Sequence, residues 1–110
     1  MHTSPPGCQV IELRRYRTKP GARAAFARCF ETWFPDVFQQ LGAAVYGHFA
    51  ERARPDGFTW LRGFTDMDAR LAVNQAFYFG PVWREHKPAL NALLDDNDDV
   101  LLLRPLHPYT

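Results

Sequence analysis

From Ile11 to Arg14 apolar and polar residues alternate, and a strand over residues 9 to 18 places Glu12, Arg14 and Tyr16 on one face with Ile11 and Leu13 on the other. A face bearing a carboxylate, a guanidinium and a phenol needs a partner or a ligand, so Ile11 and Leu13 are expected to face the helices. Lys19-Pro20-Gly21 turns the chain into a helix running from about Ala22 to Leu41. Ala22, Phe26, Phe30, Trp33, Val37 and Leu41 recur there every three or four residues, and Cys29 and Phe34 widen the stripe to that of a helix laid on a sheet. Pro35 removes a backbone donor and crowds the preceding turn, which predicts a kink or break near Trp33. Gly42 suits the helix end.

Ala43 to Arg52 reads as a second strand, with Val45, Gly47 and Phe49 on one side and Tyr46, His48 and Ala50 on the other. After the turn Arg54-Pro55-Asp56-Gly57, a third strand spans Phe58 to Thr65. Its faces, Phe58, Trp60, Arg62 and Phe64 against Thr59, Leu61 and Gly63, do not reveal which is buried. Asp66 or Asp68 caps the next helix, whose apolar side holds Leu71, Val73, Ala76 and Phe77. Gly80-Pro81 ends it, and a further helical segment containing Pro88 runs on through Trp83, Leu90, Leu93 and Leu94. Asp95 to Asp99 reads as a solvated acidic turn before a last strand from Val100 to Arg104. The order βαββαβ predicts an α+β fold with an antiparallel sheet in the split βαβ pattern. Residues 1–8 form a flexible arm, residues 9–105 the domain and residues 106–110 a tail.

A chain of 110 residues is sized for one domain, in which an uncovered sheet face is a serious loss that a homodimer repairs. With 23% charged residues, thirteen scattered basic side chains and a net charge of +1, nothing points to nucleic acid or an anionic membrane. There is no apolar run of membrane-spanning length and no secretory leader pattern, and Cys8 and Cys29 lack disulfide or metal spacing, so the expected location is cytoplasmic. The histidines at positions 2, 48, 86 and 107 form no close metal motif. Dinucleotide, Walker and nucleophile-elbow signatures are missing, and the reading calls for no cofactor.

The candidate chemistry sits on the polar strand faces. Glu12, Arg14, Tyr16 and His48 can form one catalytic cluster if the first two strands face a common cavity: histidine titrates near neutrality, and Arg14 can hold a carboxylate or enolate in its planar fork. The competing reading is structural ion pairing of Glu12 with Arg14 and a solvated His48. Tyr46, Trp60, Arg62, Tyr78, Phe79, Trp83 and His86 can line a pocket for a small aromatic ligand, although Trp60 and Phe79 serve equally as core packing.

The run Val10-Ile11-Glu12-Leu13-Arg14-Arg15-Tyr16 with Pro20-Gly21, the Tyr46-Gly47-His48 strand, the segment Phe79-Gly80-Pro81-Val82-Trp83 and the closing Leu102-Leu103-Arg104-Pro105 together resemble the NIPSNAP family over residues 9 to 105. That resemblance implies a ferredoxin-like fold pairing with a second copy as a dimeric α/β barrel, with small ligands held between sheet and helices. The wider superfamily contains cofactor-free monooxygenases of aromatic polyketides, haem-degrading oxygenases, small-lactone isomerases and stress-response proteins. The function it implies is small-molecule binding, with a cofactor-independent oxygenase or isomerase acting on a small aromatic or enolisable compound as the sharper form. His48 would then be the base, and Arg14 or Arg62 would stabilise the developing anion. The rival is a non-catalytic homodimeric interaction module.

Overall fold

Four strands and three helices follow one another as β1 (Val10–Thr18), α1 (Arg23–Leu41), β2 (Ala44–Ala50), β3 (Gly57–Phe64), α2 (Met67–Tyr78), α3 (Pro81–Asn91) and β4 (Leu94–Leu103). The computed structural model describes residues 7–106, with Asp98 by its backbone alone. Most of the expected arm and tail, with His2 and His107, lies outside the described residues. The strands form one antiparallel sheet in the order β2-β3-β1-β4, and the helices pack on one of its faces. This is the ferredoxin-like α+β arrangement.

α1 buries Phe26, Phe30, Phe34 and Phe38 at successive intervals of four, which centres its stripe on Phe34 while Trp33 and Leu41 stay exposed. The helix runs unbroken through Pro35, contrary to the expected break. Phe30, Phe34 and Phe38 fasten it to the core on both sides of the proline, and that packing offsets the lost backbone bond. At the start of α2, Asp66 accepts a hydrogen bond from Ala69 N at 2.7 Å, as an N-cap carboxylate should. Gly80 links α2 to α3, and a Cβ there would stand 2.5 Å from the carbonyl oxygen of Ala76. Gly80→Ala is therefore expected to cost about 1–3 kcal/mol, read as a lower urea midpoint at unchanged slope. An unchanged midpoint would show that the link can shift without loss.

Residues paired across strands share a face, and Glu12, Arg14 and Tyr16 lie opposite Arg62, Trp60 and Phe58. These residues, with Val10, face the helices, while Ile11 and Leu13 lie on the other side of the sheet. The expected orientation of Ile11 and Leu13 is thus reversed. Polar residues are tolerated under the helices because arginines from β3 and α2 reach Glu12. In β2 a bulge between Val45 and Gly47 shifts the register. Val45 consequently shares a face with His48 and Ala50, whereas Tyr46 lies against Gly63, whose added Cβ would come 2.8 Å from the tyrosine ring. The expected alternation of β2 fails at that bulge.

β4 begins at Leu94 and takes in the acidic run that was expected to be a turn. The cause lies across the sheet: Arg15 faces Asp99, with Nη1 3.4 Å from Oδ2, and Arg17 faces Asp96. Opposite charges at paired positions allow aspartates to be drawn into a strand despite their low intrinsic preference for it.

Candidate functional site

Glu12 is fully buried on the central strand and is gripped by three arginines from three elements. Its Oε1 accepts from Arg14 Nε at 2.6 Å and from Arg62 Nε, and its Oε2 accepts from Arg70 Nε at 2.6 Å. Burial pushes the Glu12 carboxyl up, but Arg62, Arg14 and Arg70 outweigh it and hold the pKa at about 2. Arg62 is likewise fully buried, with its guanidinium carbon 4.3 Å from the centre of the Phe38 ring and 4.7 Å from that of Trp60. Its Nη2 lies 3.4 Å from Tyr78 Oη.

Beside this cluster a cavity of about 70 Å³ opens between sheet and helices. Arg14 and Tyr16 of β1 and Trp60 of β3 form its sheet side, and Phe34, Phe77, Tyr78 and Trp83 its helix side. Phe26 and Phe38 of α1 and Leu94 and Asn97 of β4 complete it. Trp60 Nε1 donates to Tyr16 Oη at 3.0 Å, which leaves the tyrosine's own hydrogen for another acceptor. Burial pushes the Tyr16 hydroxyl pKa up, as does Tyr78, against the opposing pull of Arg14 and Arg62, so the group stays a neutral donor. The hydrogen bond from Arg14 to Glu12 uses Nε alone, leaving the two terminal nitrogens as further donors. Glu12 is no base at neutral pH, because both of its oxygens are engaged and its pKa is far too low.

The expected cluster of four contracts accordingly. Glu12, Arg14 and Tyr16 come together, but Glu12 is sealed behind Arg14 and His48 stands elsewhere. His48 rests against the rings of Phe30 and Phe58, and its Nε2 lies 3.6 Å from Glu31 Oε1. It lines a separate groove of about 410 Å³ between α1 and β2, with Arg23, Ala27 and Phe49. Of the expected pocket residues, Trp60, Tyr78 and Trp83 line the cavity and Arg62 is packed behind it. Tyr46 is on the opposite sheet face, Phe79 is 78% exposed, and His86 stacks on Trp33 with 4.2 Å between ring centres. Gly80-Pro81 ends α2 and turns Phe79 outward, and the β2 bulge removes Tyr46.

Arg70 and Asn97 escaped the sequence reading. Arg70 and Tyr78 are eight residues apart on α2, hence on one face, and that spacing was the available signal for Arg70. Asn97 was hidden by the assignment of the acidic run to a turn. Among the described residues no group of three His, Cys, Asp or Glu side chains is placed to hold a metal ion, and no helix is long and apolar enough to cross a membrane.

The NIPSNAP family model matches residues 11–107. No curated protein sequence matches this chain. Among solved structures, an uncharacterised NIPSNAP domain protein from Burkholderia xenovorans is similar at a TM-score of 0.81 and 18% identity, over 91% of this chain and 99% of that one. A NIPSNAP family protein of unknown function from Agrobacterium tumefaciens gives 0.79 and 21%, over 94% of each chain. A candidate antibiotic biosynthesis monooxygenase from Chloroflexus aurantiacus gives 0.66 and 14%, over 93% of this chain and 97% of that one. At these identities the structural likenesses establish a shared fold, and the family match over nearly the whole sequence establishes membership: the chain belongs to the NIPSNAP family.

Proposed function

We propose that this protein binds a small enolisable carbonyl compound between its sheet and helices and stabilises the anionic form of that compound. The observation that carries this reading is the pairing of hydrogen-bond donors, Arg14 and Tyr16, with a cavity wall that is aromatic apart from Leu94 and Asn97. Donors aimed at one end of an apolar cavity stabilise charge that develops on a carbonyl oxygen, because little water competes there. Size selects among ligands: about 70 Å³ is less than half of the roughly 150 Å³ that accommodates benzene in an engineered cavity. A compound of a few heavy atoms fits better than an aromatic polyketide.

The name of the Chloroflexus neighbour suggests oxygenation, and an oxygenase without a cofactor needs a base to form the substrate anion. His48, the expected base, lines the other groove. An isomerisation through an enolate needs a base for the α-proton in the same way, whereas binding a compound that is already anionic asks only for donors, which the cavity has. A screen of small carbonyl compounds and acids against the purified protein tests this directly. Arg14→Gln should weaken any hit about 10- to 100-fold, the equivalent of losing a charge-assisted hydrogen bond. His48→Ala should leave the affinity unchanged. Binding that depends on His48 and ignores Arg14 would move the site to the groove and refute the proposal.

A second reading adds a homodimer, in keeping with the fold. It is favoured by the apolar sheet face opposite the helices, where Ile11, Leu13 and Leu61 adjoin Leu101 and Leu103, which are 52% and 43% exposed. A non-catalytic interaction module would use the same surface and leave the cavity without a ligand.

A further inference from the structure

The cluster behind the cavity is out of electrical balance. Arg14, Arg62 and Arg70 contribute three positive charges, and the ion pairs they make all end on the single negative charge of Glu12. The surplus sits where charge is costly: the side chain of Arg62 is 0% exposed, that of Arg14 15% and that of Arg70 23%. Arginine cannot shed its proton to relieve the strain, unlike a buried lysine or histidine. The Tyr16 hydroxyl, buried and neutral, supplies no counter-charge. Arg62 Nη1 is buried without a hydrogen-bond partner among the described residues, a second sign that the cluster lacks negative groups. Of the three arginines, Arg14 alone lines the cavity.

We infer that the cavity is an organic-anion site selective for a small monocarboxylate, whose charge supplies the counter-charge missing from the arginine cluster and whose oxygens meet Arg14. The inference rests on the proposed small-molecule function and narrows its ligand to acids. A carboxylate suits the site on three grounds. Its planar pair of oxygens matches the donor fork that Arg14 retains after Glu12 has taken Nε. A short aliphatic body meets the faces of Trp60, Tyr78 and Trp83. The limited volume excludes long or bulky acids. Arg62 and Arg70 hold Glu12 and keep the local potential positive without lining the cavity themselves.

The test compares propionate with propionamide, which have almost the same shape and differ in charge. Each is titrated into the wild-type protein while the indole N–H resonance of Trp60 is followed, since that group bonds to Tyr16 at the cavity wall. Propionate should bind at least tenfold more tightly than propionamide, and Arg14→Gln should cut that ratio severalfold, since Arg62 and Arg70 still exceed Glu12 in charge, while circular dichroism stays native. If Arg14→Gln does not fold, the wild-type ratio decides alone, with Arg14→Lys expected to keep the preference for the acid at a lower affinity. Equal binding of acid and amide, or a preference undiminished in Arg14→Gln, would overturn the inference while leaving small-molecule binding intact. Failure of both compounds and of every compound in the wider screen would overturn the function as well.

Discussion

Glu12→Gln is expected to destabilise the protein by about 3–5 kcal/mol, the usual consequence of removing one partner from a buried ion pair. The mechanism is uncompensated charge, because Arg14, Arg62 and Arg70 all lose the carboxylate they share. Glutamine preserves the shape and can still accept one or two of the hydrogen bonds, so a large loss measures electrostatics more than packing. The same carboxylate gives stability an acid limb. Its pKa falls from 4.5 to about 2 on folding, so its contribution is fully present above pH 4.5 and is lost as the pH falls through about 2. That shift corresponds to roughly 3 kcal/mol. Urea unfolding of both proteins at several pH values checks each part. The variant should lack this share of the acid dependence, and a loss below about 1 kcal/mol at pH 7 would mean that solvent already compensates the arginines.

Leu101→Asp should convert a dimer into a monomer. The open sheet face carries Leu13, Leu61 and Leu101 at directly paired positions on three adjacent strands, a contiguous apolar patch that the helices do not cover. Removing such a patch from water is favourable at about 25 cal/mol per Å², and two copies can do it for each other through an isologous contact. A carboxylate within this patch, on the edge strand β4, adds a desolvation cost on association. We expect the dissociation constant to rise by 30-fold or more, corresponding to about 2 kcal/mol at an interface hot spot. Sedimentation at micromolar concentration should give twice the 12.7 kDa chain mass for the wild type and the single mass for the variant. A wild-type monomer throughout that range would refute dimerisation through this face.

The order of elements was legible because it depends on local signals: alternation in β1, four-residue spacing of phenylalanines in α1, and the breaks at Pro20-Gly21, Gly42 and Gly80-Pro81. The facing of β1 was not, because it is settled by distant residues. Glu12 and Arg14 read as a cavity face or a structural ion pair until Arg62 and Arg70, 50 and 58 residues beyond Glu12, are placed beside them. The β2 bulge was equally hidden, since it inverts the alternation after Val45 with no local mark beyond Gly47. The aspartates of β4 follow the same rule: their strand conformation depends on Arg15 and Arg17 across the sheet. Of the candidate site, Arg14, Tyr16, Trp60, Tyr78 and Trp83 were found from residue type and position, whereas the separation of His48 from them depends on tertiary packing.

We propose the cavity beside Arg14 as the place where this NIPSNAP protein holds its ligand. A crystal structure with a bound carboxylate from the screen tests it most directly. The carboxylate should lie within hydrogen-bonding distance of Arg14, its carbon body against Trp60, Tyr78 and Trp83, with Glu12 still engaged by its three arginines. A ligand seated instead in the groove beside His48 and Glu31, with the cavity beside Arg14 closed around its own side chains, would contradict it.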